Sequence, residues 1–309
     1  MTTAADLNRR FAIAAPGDTA SHHCLSFEEI ADGFVVAKVA TPYATASIAL
    51  QGAHVMTYQP VGHAPVIWLS KFAKFAPCKS IRGGVPVCWP WFGPHGQNPQ
   101  FPGHGFARSV PWALVDASLL PDHRVRLEFE LVQSDATRAQ WPALSTVRNI
   151  ISVGPELEVE LATTNLGSTA FELSQALHTY FEVGDIRRAT VLGLEHCDYI
   201  DKFDGGKRKV QDGAVSFTQE TERIYLGTHG YCEIRDPALE RSIIITSTGS
   251  QSTVVWNPWS EKADKMGDFG PDGHLAMVCV ETANASENVI TLAPGATHRM
   301  AAQYRSISH

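Results

Sequence analysis

The chain has 309 residues, of which 44% are apolar and 18% charged, as in ordinary globular proteins that build a sizeable core. Its formal net charge is −7, from 32 acidic and 25 basic side chains. Proteins that bind nucleic acid usually carry a basic face, and no long run of Lys or Arg supplies one here, so we expect no nucleic-acid partner. An anionic ligand must then be held by a few placed cations, which favours a small phosphate ester over a polymer.

Cysteine spacing and hydropathy bear on the compartment. The six cysteines form neither a C-x-x-C pair nor a regular spacing, which argues against a disulfide framework and favours a reducing compartment. They are Cys24, Cys78, Cys88, Cys197, Cys232 and Cys279. The apolar stretch at 11–15 is too short for a signal peptide, and no apolar run approaches the 18 residues of a membrane span. We therefore expect a soluble, cytoplasmic protein without a membrane partner.

Alternation of apolar and polar residues dominates the chain and predicts β-strands. In chain order, the predicted strands are 34–39, 125–131, 147–153, 157–161, 171–177, 242–246 and 275–280. One short helix is predicted at 259–266, because Pro258 suits a first helical turn. The 24 Gly and 18 Pro are spread among many short strands, which favours an all-β sandwich over an α/β fold.

The domain organisation is predicted from the absence of linkers and repeats in the sequence. No repeat of fixed period and no low-complexity linker divides the chain, and large β-sandwiches can exceed about 200 residues as one domain. Residues 1–25 are predicted to be a loosely ordered leader, because chain termini become ordered only when they are tied down. Residues 26–309 are then predicted to form one domain.

Two glycine-rich segments are candidates for ligand-binding loops. The segment 80–94 is too dense in Gly and Pro to be a regular strand, and Arg82 precedes two glycines that would let backbone approach a ligand. The segment 103–108 offers His104 and Arg108 in the same way. Two planar guanidinium forks would clamp one phosphate dianion. Taken alone, segment 80–94 is better explained as a tight corner with a solvated arginine, because Gly and Pro primarily mark turns.

Two titratable residues stand out on predicted strands. In an extended chain, His178 lies on the less apolar face beside small residues, although a lone strand histidine is more often structural. Glu281 ends the apolar run 275–280. Burial of an ionised carboxylate costs several kcal/mol or raises its pKa. Glu281 is thus either paired structurally or a base tuned toward the working pH, and its position alone favours neither interpretation.

Several blocks in order along the chain share one resemblance. They are I-R-G-G-V-P at 81–86 with W-P-W-F-G at 89–93, H-G-F-A-R at 104–108, A-L-H-T-Y-F at 176–181, W-N-P-W at 256–259 with Lys-Ala and Met-x-Asp-Phe to Phe269, and V-C-V-E-T-A-N at 278–284. Together they resemble the glucose-6-phosphate 1-epimerase branch of the aldose 1-epimerase (galactose mutarotase-like) superfamily. The similarity spans roughly residues 30 to 305.

The resemblance implies a fold and a reaction. The fold is a large antiparallel β-supersandwich, and the reaction interconverts the α and β anomers of a hexose 6-phosphate without metal, nucleotide or other cofactor. His178 is implied as general acid on the ring oxygen and Glu281 as general base on the anomeric hydroxyl, on opposite sides of the sugar. The expected partner is a small sugar phosphate, and the protein is expected to be a monomer.

The resemblance also implies the substrate contacts. Arg82 and Arg108 match positions associated with the 6-phosphate, and His104 resembles a sugar contact. The family commonly has aspartate in an E-T-D-R-x-Y segment, whereas Glu222 stands in that place here with one more methylene. The hydroxyl contact then survives with a small shift, or the preferred sugar differs.

Three alternatives stay open at the level of sequence. Trp256 and Trp91 are each either an apolar wall for the pyranose or part of the core. The enzyme is alternatively a mutarotase for unphosphorylated aldoses, against which the two arginines argue. A catalytically silent carbohydrate-binding module is the third alternative, and the presence of both His178 and Glu281 argues against it.

Overall fold

The computed structural model describes residues 3–15 and 23–309. The helices in these ranges are α1 (Ala4–Phe11), α2 (Asp135–Gln140) and α3 (Trp259–Met266), with short 3-10 helices at Ala107–Ser109, Gly273–Ala276 and Ser286–Asn288. The helix predicted at 259–266 is confirmed at both ends. Within the described ranges, no helix combines the length and apolar character that a bilayer crossing requires.

Strands are the predominant regular structure of the described residues. The first twelve are β1 (Ile13–Ala14), β2 (His23–Ala31), β3 (Phe34–Ala40), β4 (Ala44–Ala49), β5 (His54–Pro60), β6 (Val87–Cys88), β7 (Trp112–Leu119), β8 (Val125–Leu131), β9 (Ser145–Val153), β10 (Leu157–Asn165), β11 (Phe171–Leu173) and β12 (Gln175–Leu177). The others are β13 (Tyr180–Glu182), β14 (Thr190–Leu192), β15 (Asp198–Asp201), β16 (Lys207–Val210), β17 (Thr221–Leu226), β18 (Tyr231–Asp236), β19 (Arg241–Thr248), β20 (Ser252–Asn257), β21 (Met277–Asn284), β22 (Ile290–Leu292) and β23 (Thr297–Ser308). Each predicted strand is present, and the one predicted at 171–177 is divided at Ser174.

Two large sheets organise the molecule. One eight-stranded sheet has the order β14-β18-β19-β23-β10-β9-β8-β7. The other has the order β16-β15-β17-β20-β21-β12-β6, with β13 also paired to β21. Smaller sheets join β1 to β5 in sequence and β11 to β22. The named strands pair antiparallel in the part of the chain described, so the prediction of an all-β antiparallel sandwich is confirmed.

The core lies between the two large sheets. Along β8, buried residues alternate with half-buried ones, as expected where one face of a strand packs on a core. Phe181 from one sheet meets Tyr304 from the other edge to face, with ring centroids 5.1 Å apart. The Trp89 indole N–H likewise donates to the hydroxyl of Thr163 across the interface, at 3.1 Å. These contacts pack the two large sheets against each other.

The N-terminal segment is more ordered than the predicted leader. Leu7 of α1 is buried, and the Asn8 side chain accepts from the Phe27 N–H and donates to the Phe27 carbonyl, both at 2.8 Å. These contacts tie α1 to β2, which differs from the expectation of a loosely held terminus. Residues 16–22 of that expected leader lie outside the described ranges.

Candidate active site

Strand register places several singled-out residues on one face of the second large sheet. Glu222 is the register partner of Trp256, Trp256 of Cys279, and Cys279 of Tyr180, a row that crosses β17, β20, β21 and β13. Side chains two residues apart on a strand point to the same face. Glu281 therefore projects from β21 on the same side as Cys279.

A break between β12 and β13 brings His178 onto that face. The Thr179 N–H donates to the Leu177 carbonyl at 2.8 Å, which makes a tight turn, and the His178 N–H donates to the Pro86 carbonyl at 3.0 Å. Because Leu177 pairs with Thr282 and Tyr180 with Cys279, the turn lies opposite Glu281.

The loop before β6 carries Arg82 at the edge of this face. Gly83 and Gly84 both have positive φ, and a Cβ on Gly83 would lie 2.6 Å from the Trp68 carbonyl oxygen, while one on Gly84 would overlap the His54 ring. Only glycine fits both positions. The loop therefore packs closely against its neighbours, and this packing fixes the backbone position from which the Arg82 side chain extends.

His54 stabilises this loop through a buried hydrogen bond. Its Nε2 lies 2.9 Å from the Gly83 carbonyl oxygen, which only accepts, so the buried ring is the neutral Nε2–H tautomer. Burial lowers the pKa of His54 from 6.5 to about 3. As pH falls below 6.5, the unfolded chain binds a proton that the folded ring refuses, so stability present above pH 6.5 is lost toward pH 3.

His54→Gln is therefore expected to make the protein less sensitive to acid. The amide still donates to Gly83 but does not titrate, so the loss of unfolding free energy between pH 7 and pH 5 should shrink by about 2 kcal/mol at most. Urea unfolding at the two pH values measures this. His229→Gln, at an exposed position, is the matched control. An unchanged pH dependence in His54→Gln would contradict the assignment.

The second glycine-rich loop contributes His104 and Arg108. The Arg108 Nη2 donates to the Gly103 carbonyl at 3.0 Å, which leaves other guanidinium donors for a ligand. The His104 ring lies 5.8 Å from that of His178, and the Gly93 N–H approaches its Nδ1 at 3.4 Å. Burial, with a smaller contribution from Arg108, lowers the pKa of His104 to about 4, so its ring is neutral at pH 7.

All seven residues singled out from the sequence line one cavity of about 290 Å³. They are Arg82, His104, Arg108, His178, Glu222, Trp256 and Glu281. This volume lies near the lower end for small-ligand sites. Trp91 instead packs in the main core, where its indole N–H donates to the Pro102 carbonyl at 3.0 Å.

The imidazole and the carboxylate lie side by side. His178 Nε2 is 3.4 Å from Glu281 Oε1, and both side chains are almost fully buried. The expectation that they flank a sugar from opposite sides is wrong, because no pyranose fits into that distance. The ring oxygen and the anomeric hydroxyl are bonded to the same carbon, so two neighbouring groups are able to serve both.

Burial shifts both groups toward their uncharged forms. It lowers the pKa of His178 well below 6.5, with further contributions from His104 and Arg108. It raises the pKa of Glu281 well above 4.5, and the charge of Glu222 adds to this. Glu281 Oε2 and His178 Nδ1 are buried without a hydrogen-bond partner among the described residues. Burial therefore favours a neutral imidazole and a protonated carboxyl group over the ion pair.

Three side chains at the centre have the donor types of a metal site. Ligand atoms of His178, Cys279 and Glu281 lie within 4.8 Å of one another. Burial raises the pKa of the Cys279 thiol well above 9, which disfavours the thiolate that a metal binds. Two arginines and a lysine also line the cavity and oppose a cation there. The expectation of no metal or cofactor stays a prediction.

The structure adds residues that the sequence did not single out. Lys262 lines the cavity from α3, and its Nζ donates to Glu220 at 2.7 Å and to Glu222 at 3.1 Å. Tyr180 lines it beside His178. The only sequence signal for Lys262 was its place in the block that follows W-N-P-W.

Comparison with known proteins identifies relatives of this chain. The profile of the aldose 1-epimerase family matches residues 37–305. A protein of Escherichia coli (strain K12) named "Putative glucose-6-phosphate 1-epimerase" is 43% identical over 247 residues, 80% of this chain and 82% of its own length. A protein of the same name from Cenchrus ciliaris is 36% identical over 259 residues, 81% of this chain and 78% of its own.

A solved structure agrees as well. The crystal structure of YeaD from Salmonella typhimurium matches with a TM-score of 0.86 at 37% identity, covering 93% of this chain and 94% of that one. The chain belongs to the aldose 1-epimerase family, which confirms the resemblance inferred from its motifs.

Proposed function

We propose that this protein interconverts the α and β anomers of a hexose 6-phosphate, with glucose 6-phosphate the foremost substrate. One observation carries the proposal: His178 Nε2 and Glu281 Oε1 lie 3.4 Å apart in a cavity that Arg82 and Arg108 also line. The relatives named for glucose-6-phosphate 1-epimerase activity support the same reaction. We place the protein in the cytoplasm, where sugar phosphates are metabolised.

Ring opening needs one proton given to the ring oxygen O5 and one taken from the O1 hydroxyl, the two oxygens that are bonded to C1. Protonated His178 donates to the ring oxygen while the Glu281 carboxylate accepts the proton of the anomeric hydroxyl. The C1–O5 bond breaks and the C1–O1 bond becomes a carbonyl, which yields the free aldehyde. Rotation about C1–C2 presents the other face, and closure reverses both transfers. Each positioned transfer typically contributes about 10²–10⁴-fold in rate.

The proton transfers balance because His178 and Glu281 together carry one proton both before and after ring opening. After opening, His178 is neutral and Glu281 is protonated, which is the state that burial favours at rest. Before opening, this proton must pass from Glu281 to His178, and the 3.4 Å between Oε1 and Nε2 allows this without solvent once the groups approach slightly, as catalytic hydrogen bonds do in a complex. The rate should therefore fall as pH rises through the raised pKa of Glu281, because the pair then loses its only proton.

The remaining cavity residues give the substrate its orientation. Arg82 and Arg108 bind the 6-phosphate through charge-assisted hydrogen bonds, which favours the phosphorylated sugar over free hexose by roughly 2–4 kcal/mol. His104 contacts the sugar, and Trp256 supplies an apolar wall. Glu222, which Lys262 holds at 3.1 Å, accepts from sugar hydroxyls.

Parallel assays on glucose 6-phosphate and glucose test this function. The preference above converts to roughly 30- to 1,000-fold in kcat/KM, measured by NMR or polarimetry of anomer exchange. Equal efficiency on both sugars would defeat the phosphate assignment and favour a mutarotase for free aldoses. No acceleration on either sugar, together with sugar binding, would favour a silent binding module.

A further inference from the structure

The Tyr180 ring lies between the acid and the anion-binding arginine. It is buried, and it stacks on the His178 imidazole with ring centroids 5.0 Å apart and planes 14° apart. It also stacks on Trp68, at 5.8 Å and 20°. Trp68 in turn stacks on Phe269, at 5.4 Å. An imidazole within such a stack has little freedom to rotate, so the ring sets the plane in which Nε2 points.

The phenol oxygen of Tyr180 reaches the other component of the site. Arg82 Nη1 donates to this oxygen at 3.0 Å, while Arg82 Nε donates to Asp268 at 2.9 Å. The guanidinium carbon also lies 5.0 Å from the Phe269 ring centroid. Burial raises the pKa of Tyr180, so the phenol stays protonated and acts as a neutral acceptor. Three contacts therefore aim the guanidinium group, and Tyr180 supplies one of them.

The backbone of Tyr180 is fixed by the same two parts of the site. Its N–H donates to the Gly84 carbonyl of the arginine loop at 2.9 Å, and its carbonyl accepts from the Trp68 N–H at 3.0 Å. Its register partner is Cys279, two residues before Glu281. Because its backbone is held in this way, Tyr180 has a fixed position from which its side chain can orient its neighbours.

We propose that Tyr180 is a positioning residue with two separable tasks: its hydroxyl aims Arg82 at the phosphate, and its ring holds the plane of His178. The inference rests on the proposed function and goes beyond it, because it assigns substrate preference and turnover to different atoms of one side chain. Loss of the hydroxyl should weaken phosphate binding alone. Loss of the ring should slow ring opening for any sugar.

Two substitutions separate the tasks. Tyr180→Phe keeps the stack and removes the acceptor, so KM for glucose 6-phosphate should rise about tenfold, while kcat on both sugars and the pH profile on glucose stay near the wild-type values. Tyr180→Leu removes the stack as well, so kcat should fall at least about tenfold on glucose and glucose 6-phosphate alike. If the leucine variant does not fold, the phenylalanine variant still decides the role of the hydroxyl.

Tyr58→Phe is the matched control, because the Tyr58 hydroxyl also makes one hydrogen bond in the interior, to the Gly154 carbonyl at 3.0 Å, away from the cavity. It should lower the unfolding temperature without changing the preference for glucose 6-phosphate. A selective wild type whose preference survives in Tyr180→Phe would overturn the role of Tyr180 and leave the proposed function standing. A wild type without any preference would overturn both.

Discussion

Glu281→Gln is expected to lower kcat for anomer exchange by about 10²–10⁴-fold on phosphorylated and free sugars alike. The amide has nearly the shape of the carboxyl group but takes no proton, so the anomeric hydroxyl loses its base. Stability should not fall, because Glu281 is buried and burial already raises its pKa well above 4.5, so glutamine removes a group that is costly to ionise. Exchange NMR for kcat and urea unfolding for stability measure the two effects.

Glu182→Gln provides the comparison for this change. Glu182 lies on β13 and burial also raises its pKa, but it is outside the cavity. Replacement of Glu182 should change kcat by no more than about twofold, because a raised pKa alone does not make a carboxyl group a catalytic base. His178→Ala should resemble Glu281→Gln in kcat, and the double variant should be little worse than either single one, because the two groups act as one unit. Near-wild-type turnover in Glu281→Gln would end the acid–base assignment.

Arg108→Met is expected to raise KM for glucose 6-phosphate by about 10- to 100-fold, with kinetics on glucose nearly unchanged. A hydrogen bond to a charged group contributes about 1.5–3 kcal/mol, which converts to that range. Arg108 is the sharper choice because its guanidinium group donates mainly to the Gly103 carbonyl, whereas Arg82 also supports Tyr180 and Asp268. Initial rates over a range of substrate concentrations give the two constants.

Arg138→Met controls for the loss of an arginine as such. Arg138 lies on α2, exposed, and its partner is Asp135. It should leave KM for both sugars unchanged. Added inorganic phosphate should compete with glucose 6-phosphate in the wild type and much less in Arg108→Met. If the variant kept wild-type KM and phosphate inhibition, the anion would have to bind elsewhere.

The fold class could be predicted from the sequence because a strand leaves a local pattern in it. A strand that buries one face shows a period of two, as β8 does without a fault. Boundaries were harder. The chain at 171–177 divides at Ser174, whose hydroxyl accepts from the Phe92 N–H, a contact no local pattern shows. The N-terminal helix was missed because its order comes from Leu7 and Asn8 packing on β2.

The candidate site was predictable as a set of residues but not as a geometry. The resemblance named the residues, whereas their positions follow from register between strands far apart in sequence. That register puts Tyr180 opposite Cys279 and Trp256 opposite Glu222. Lys262 escaped notice because a lysine on a short exposed helix is usually a solvated charge. Its contacts with Glu220, which precedes β17, and with Glu222 of β17 appear only in the folded structure.

The residues proposed to react and those proposed to bind the phosphate have different kinds of structural support. Glu281 belongs to β21 inside an eight-stranded sheet, and His178 lies in the turn between β12 and β13, which both pair with β21. Arg82 lies on a loop and Arg108 on the short 3-10 helix Ala107–Ser109, so neither belongs to a strand of a large sheet. With the roles proposed above, a descendant that exchanged one of these arginines is expected to accept other sugars and to keep the proton chemistry. The architecture thus lets preference evolve quickly around a reaction that stays fixed.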